Sequence, residues 1–400
     1  MNIFEINSVP YGSTGKIAFE IKKTAENAGH KADAYMGYSY HPLQEIKDSD
    51  VIIGSRYHKI LHMLFARVTG LNGCFSFFAT LKLLSKIKKT RPDLIHLHNI
   101  HGWYINLPLL FRFIKKHNIK TVWTLHDCWS FTGHCPHFDM IGCDKWKTGC
   151  YKCPQYKDYP QSFFDNSKYM YRLKSKWFTG VNNLTVVTPS QWLGGLAKQS
   201  FLKEYPVKVI NNGIDLSVFK PTDSDFRKKY NCENKYILLG VAFGWGKRKG
   251  LDVFIELSKR LDEKYQIILV GTDDNTDKIL PNNIISIHRT QNQTELAEIY
   301  TAADLFVNPT REENYPTVNM ESVACGTPVL TFNTGGSPEM LDNTCGSVVP
   351  KNDIDALYNE IIRICEENPY LEESCLKKSK EYDMNDRFKE YTALYEELNG

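Results

Sequence analysis

The 400-residue sequence contains no apolar run near the ~18 residues that a membrane-crossing helix needs. Its first residues, MNIFEINSVP, lack the basic start and apolar core of a secretory signal, so the sequence predicts a cytosolic protein. Low-complexity tracts and short tandem repeats are missing, which leaves ordinary globular domains. Acid is scarce between residues 51 and 120, where twelve Lys and Arg stand against Asp93 alone. Residues 1–200 carry 26 Lys and Arg against 13 Asp and Glu, while residues 201–400 carry 23 against 33. A basic half joined to an acidic half predicts that the basic half meets something negative: a membrane surface, nucleic acid or a phosphorylated substrate.

What is present is a chain for two to three domains, 42% hydrophobic and 24% charged, as expected of a soluble globular protein. Eleven cysteines without a secretory signal argue against a disulfide framework. Cys74, Cys128, Cys232, Cys325, Cys345, Cys365 and Cys375 are scattered and read as buried small apolar residues. Cys135, Cys143, Cys150 and Cys153 lie close together with the spacing C-x7-C-x6-C-x2-C. The closing Cys-x2-Cys is a common half of a tetrahedral zinc site, and four thiolates complete one. Reduced buried thiols or a redox pair are the alternatives, and His134 or His137 could substitute as ligands.

Short apolar runs alternate with helical patterns along the chain. The first series is NIFEINSV, LIHLH (94–98), TVWTLH (121–126), LTVVTPS (184–190) and VKVIN (207–211). A second follows a Gly-, Pro- and Asp-rich stretch at 211–225: KYILLGVA, YQIILVGT, NIISIH, DLFVNPT and TPVLTF. This spacing predicts two parallel, doubly wound α/β sheets. Residues 381–399 read as an amphipathic helix with Phe388, Tyr391, Leu394 and Leu398 on one face.

Three segments could carry chemistry. The turn Gly12 to Lys16 fails the phosphate-loop pattern, yet Gly15 lets backbone approach a ligand at a helix start. GWGKRKG (244–250) misses the dinucleotide glycine spacing but places Lys247, Arg248 and Lys249 at the expected start of a helix. Cations there oppose the helix dipole, so a bound phosphate explains them better than solvation does. In residues 311–341, Glu313 precedes and Glu321 enters a helix, so two carboxylates flank an N-terminus able to hold phosphate.

Glu313-x7-Glu321, followed by CGTPVL and NTGGSPE, resembles the signature of retaining glycosyltransferases of family 4, which have the GT-B fold. LHD (125–127), VVTPSQW (186–192), VINNGIDLSVFKP (209–221) and RKG (248–250) stand in the matching order, covering nearly the whole chain. HDCWSFTGHC and GCDKWKTGCYKCPQ resemble a subset acting in bacterial exopolysaccharide, capsule and colanic-acid assembly.

The resemblance implies that Arg248 and Lys249 bind the donor diphosphate, with Phe243 standing where the family usually has an arginine. Glu313 would grip hydroxyls of the donor sugar and Glu321 the ribose, while the backbone of Asn314, Tyr315, Pro316 and Thr317 cradles phosphate. His126 would reach the donor sugar from the other domain, Gly15 would let the N-terminal loop close on it, and Asp127 would contact acceptor or orient the imidazole. It also implies same-face attack with retention of configuration. No Asp-x-Asp metal motif, and so no divalent ion in catalysis, is expected.

The sequence thus predicts an α/β GT-B protein with two Rossmann-like domains facing a central cleft. Residues 1–215 would bind acceptor, 216–380 nucleotide sugar, and 381–400 would pack back on the first domain. The expected partners are a UDP- or GDP-sugar and a lipid-linked glycan, with no nucleic acid. The expected location is the inner face of the cytoplasmic membrane, peripherally on anionic lipid. A GT-B nucleotide-sugar epimerase and a zinc-containing nucleic-acid-binding protein are the rival readings.

Overall fold

The computed structural model describes residues 1–38 and 50–400, which divide into two compact units. One holds Met1–Asn211 and Phe388–Gly400, the other Asn212–Arg387. The first boundary falls after Asn211 rather than after residue 215. Ile214 pairs with the chain end of unit 2, donating to the Tyr382 carbonyl at 2.8 Å and accepting from Met384 at 3.0 Å.

Unit 1 is built on seven strands: β1 (Asn2–Asn7), β2 (Lys31–Gly37), β3 (Val51–Ile53), β4 (Leu94–Leu97), β5 (Thr121–Thr124), β6 (Leu184–Thr188) and β7 (Val207–Val209). Their order is β3-β2-β1-β4-β5-β6-β7, and every pairing is parallel. Unit 2 has six: β8 (Tyr236–Val241), β9 (Tyr265–Val270), β10 (Ile284–Ile287), β11 (Leu305–Asn308), β12 (Val329–Phe332) and β13 (Gly346–Val349). Their order is β10-β9-β8-β11-β12-β13, again all parallel. These are two Rossmann-like parallel-sheet domains, as the GT-B expectation requires.

Strand residues are buried on both faces of each sheet; most strands of unit 2 are near-continuous apolar runs, whereas β1, β4 and β5 of unit 1 alternate apolar with buried polar residues. In unit 2, Leu239, Ile268 and Phe306 pack toward one layer, while Leu238, Leu269 and Leu330 pack toward the other with Phe254 and Leu357. Helix starts are set by local chemistry. Asn106 accepts from Leu109 N with Pro108 in the first turn, Ser190 accepts from Leu193 N, and Asn292 from Glu295 N.

The chain order reverses direction between β1 and β4 in unit 1, and between β8 and β11 in unit 2. Loops leaving the carboxyl ends of those strands diverge, and the crevice they leave is where open α/β sheets bind ligands. Three of the segments singled out in the sequence leave these ends, and the fourth, His126, leaves the end of β5, the neighbour of β4. Gly12–Gly15 follows β1, His126 follows β5, the basic turn follows β8, and Glu313 follows β11.

Candidate functional site

In unit 2, adjacent β8 and β11 deliver the basic turn and the 309–316 loop side by side. Lys247–Lys249 form a single 3-10 turn, and the helix begins only at Leu251, after Gly250 in the left-handed region (φ 79°). The cations therefore precede the helix rather than occupy its first turn, which corrects the expectation. Lys249 Nζ meets Glu313 Oε2 at 2.5 Å, both side chains being about one-fifth exposed. Burial raises the Glu313 carboxyl, but the Lys249 charge and hydrogen bond, with the Arg248 charge behind them, hold it below the usual range. The Arg248 side chain is exposed, and Phe243 stands wholly in solvent.

Arg311, whose role the sequence did not suggest, fixes this arrangement. It is buried and binds Asp252 through both guanidinium nitrogens, at 2.7 and 2.9 Å. It also donates to the Lys247 carbonyl at 2.5 Å and to Asn352 at 2.6 Å. Behind Glu313, Gly336 N donates to the Asn314 carbonyl at 2.8 Å. Gly335 has φ 57°, and a Cβ there would strike the Glu313 carbonyl oxygen.

The helix Thr317–Ala324 begins at Pro316 without a side-chain cap, so its opening N–H groups suit an anion. Asn314 and Thr317 are half-buried and Tyr315 and Pro316 buried. Glu321 lies inside this helix, where the Tyr300 hydroxyl donates to it at 3.2 Å. The Thr334 and Ser337 hydroxyls are buried nearby in sequence without hydrogen-bond partners.

In unit 1, the register pairs Glu5 with His96, and a buried polar ladder crosses β1, β4 and β5. Glu5 lies 2.9 Å from both His96 Nδ1 and His98 Nε2. The Tyr395 hydroxyl joins it at 3.0 Å, and His96 Nε2 meets Thr124 Oγ1 at 2.8 Å. His98 Nδ1 lies 3.1 Å from His126 Nε2, with the rings stacked. Burial raises the Glu5 carboxyl, yet the charge and hydrogen bonds of His96 and His98 outweigh it and hold it at about 2. Burial, then the His96 charge, pushes His98 down to about 4. Burial, then the His98 charge, pushes His126 well below the ordinary imidazole value.

Asp127 accepts from Trp129 N at 2.8 Å and meets His101 Nε2 at 2.9 Å. It thereby orients its own loop and His101, and its charge also acts on His126. Gly15 falls within the first turn of the helix Gly12–Asn27, not in a preceding loop. A Cβ on it would come 2.6 Å from the Pro10 carbonyl carbon.

Among the described residues, candidate ligand atoms gather within 4.8 Å in two groups, Glu5–His96–His98 and Asp274–Asp277–His288. The first is satisfied by its own hydrogen bonds, and the second is exposed. The expectation that no Asp-x-Asp exists is also corrected, since triplets stand at 48–50, 223–225 and 353–355. Asp48 lies outside the described residues. Asp50 pairs with Lys22, Asp353 caps a helix through Ala356 N, and Asp355 pairs with Arg260. Cys135, Cys143, Cys150 and Cys153 line one small cavity in unit 1. Of the seven scattered cysteines six are buried and Cys74 is half-buried.

Residues 15–218 match the family model for Glycosyltransferase Family 4, and residues 234–367 that for Glycosyl transferases group 1. The chain is 27% identical over 273 residues to the putative colanic acid biosynthesis glycosyl transferase WcaC of Escherichia coli K12, covering 66% of this chain and 65% of the relative. It is 26% identical to the N,N'-diacetylbacillosaminyl-diphospho-undecaprenol alpha-1,3-N-acetylgalactosaminyltransferase of Campylobacter jejuni, covering 49% of this chain and 56% of the relative. Sucrose-phosphate synthase from Thermosynechococcus elongatus superposes with a TM-score of 0.72 at 18% identity, over 100% of this chain and 99% of that one. Anabaena HepE in complex with UDP and glucose gives a TM-score of 0.69 at 15% identity, over 99% and 100%.

Proposed function

This chain belongs to glycosyltransferase family 4, and from that premise we propose that it transfers one sugar from a nucleotide-diphosphate donor to a lipid-linked glycan, with retention of configuration, in surface-polysaccharide assembly. The observation that carries the donor half is the 2.5 Å pair between Lys249 and Glu313 at the carboxyl ends of β8 and β11. A donor diphosphate takes over Lys249 and the Arg248 charge, with the N–H groups that open the helix Thr317–Ala324 as further donors. Glu313 is then released toward sugar hydroxyls, and Glu321 serves the ribose. Cations and helix N–H groups balance the charge that develops as the glycosidic bond breaks, so the diphosphate leaves without a general acid. The departing phosphate helps to deprotonate the acceptor, and no divalent ion is needed.

His126 supplies a neutral imidazole toward the donor sugar, its neutrality set by burial and His98. Gly15 permits the close approach of backbone at the carboxyl end of β1. The lipid-linked acceptor is suggested by the relatives in colanic acid and bacillosamine-diphospho-undecaprenol chemistry. With such an acceptor the enzyme would work peripherally on the inner face of the cytoplasmic membrane.

A panel of UDP-, GDP- and other nucleotide sugars tests the donor reading by thermal stabilisation. A donor at 100 times its dissociation constant adds ~2.7 kcal/mol. Stabilisation by no member of the panel would remove the reading. Transfer onto polyprenyl-diphosphate glycans, with product anomers read by NMR, tests acceptor and stereochemistry.

A further inference from the structure

Between β5 and the helix Ser167–Phe178, residues 125–166 run with only two single 3-10 turns, at Trp129–Phe131 and Lys145–Lys147. Connections this long without secondary structure are uncommon in compact domains and need something to hold them. A small aromatic core of Phe131, Phe138 and Trp146 does part of that work, with ring centroids 5.1–6.5 Å apart. Against it sits a cavity of about 20 Å³, room for a single water-sized or ion-sized occupant, lined by Cys135, Cys143, Cys150, Cys153 and His134.

Four features of this cavity point to a cation bound by thiolates. The sulfurs of Cys135 and Cys153 come within hydrogen-bond reach of each other, close enough to share one ion. Gly133 N donates to Cys150 Sγ at 3.0 Å, and a backbone N–H of Gln155 serves Cys153. Such donors stabilise a thiolate, whereas a thiol sulfur is a weak acceptor. His134 is buried, and its Nε2 has no hydrogen-bond partner, although the ring reaches the backbone of Tyr156 and Asp158. That is the disposition of an imidazole with one nitrogen anchored and the other open for a ligand.

The fourth feature is Lys174, which is wholly buried with no carboxylate in ion-pair reach among the described residues. It donates to the carbonyls of Trp129 (2.5 Å) and Thr132 (3.0 Å) and lies 3.3 Å from the Trp129 ring centroid. A divalent ion with three or four thiolates carries net negative charge and would balance it.

We propose that this cavity holds one zinc ion, with Cys150 and Cys153 as the fixed pair and the other two positions filled from Cys135, Cys143 and His134. No three of the donor atoms are gathered within 4.8 Å. Ligation therefore turns side chains toward the cavity, and part of the binding free energy goes into ordering the loop. The ion is structural: it staples the loop that carries Asp127 and Tyr159, and it leaves no open position for chemistry. The proposal is independent of the transfer reaction.

The test is elemental analysis of the full-length chain, purified without added metal or chelator. About one zinc per chain is expected, together with protection of the cluster thiols from a thiol reagent until a chelator is added. Cobalt(II) in its place should give the intense visible bands of a tetrahedral thiolate site, and their intensity tells three thiolates from four. Cys150→Ser and Cys153→Ser should each lose the metal, while Cys74→Ser keeps it. Because those variants could fail to fold, the wild-type content decides by itself. Zinc-free wild-type protein would overturn the proposal, as would a disulfide within the cluster or zinc retained in both variants.

Discussion

A 2.5 Å ion pair whose members are about one-fifth exposed is weakly screened, so removing Glu313 strips Lys249 of its carboxylate and removing Lys249 leaves Glu313 with only the more distant Arg248 charge. If Glu313 holds the donor sugar, Glu313→Ala should lower kcat about 10²–10³-fold with a smaller change in KM, because the lost contact matters most as charge develops. Lys249→Ala should lower kcat and raise KM together, since the diphosphate is then both held and released poorly. Steady-state kinetics with the donor found in the panel reads both variants, and wild-type rates in either would end the donor assignment. These two residues stood out in the sequence through local chemistry, a run of cations after a strand and acids around a helix start, while the roles proposed for them come from the family resemblance.

The buried ladder in unit 1 was not legible, although its signal was there. Glu5 and Asn7, His96 and His98, and Thr124 and His126 repeat at a period of two on neighbouring strands. Read one strand at a time, LIHLH is only an apolar run with two histidines. The ladder makes unit 1 acid-sensitive. His98 sits at about 4 when folded against 6.5 as a free group, so between those values the unfolded chain binds the extra proton. Its stabilising contribution is whole above pH 6.5 and is lost as the pH falls through 4. Thermal unfolding followed from pH 7 to pH 4.5 should show a loss of about 1–3 kcal/mol that is smaller in His98→Gln. An equal acid loss in the variant would reject this origin.

Among the elements, strands rich in apolar β-formers were readable, and β2, β3 and β13 were not. KADAYMG carries Lys31 and Asp33 in its first three residues, VII is three residues, and GSVV opens on glycine. Each depends on pairing with a neighbour rather than on its own pattern. The same holds for Arg311, which joins the basic turn, the helix Leu251–Arg260 and the turn after β13 through Lys247, Asp252 and Asn352. Its partners are 41 to 64 residues distant, beyond any local motif. Arg311→Lys keeps the charge and loses the paired geometry. The expected cost is about 1–3 kcal/mol in calorimetric stability, with a raised KM for the donor and a kcat changed less. A melting temperature equal to wild type would show that the basic turn stands without this strut.

On the scale of the molecule, the charge asymmetry maps onto the division into units, because most of the basic half builds unit 1. There the helix Arg56–Thr69 turns His62 and Ala66 inward. It exposes Tyr57, Leu61, Leu64, Phe65 and Val68, a stripe at helical spacing on its outer face. The helix Phe77–Thr90 adds Phe78, 76% exposed, with Lys82, Lys86, Lys88 and Lys89 at the surface. Among the described residues no helix is long and apolar enough to cross a membrane. Apolar side chains beside cations suit entry into an anionic interface, at ~1 kcal/mol per cation near the surface plus the buried apolar area. Nucleic acid would use the cations but leave the aliphatic stripe in water, so the two partners respond differently to the same substitutions. Flotation with anionic liposomes should carry the protein at low salt, and neutral liposomes should carry far less. Leu61→Asp with Phe65→Asp should abolish flotation while sparing any retention on DNA, and glutamate at 86, 88 and 89 should weaken both. Equal flotation with neutral and anionic vesicles, or flotation unaffected by the aspartates, would remove the membrane from this reading.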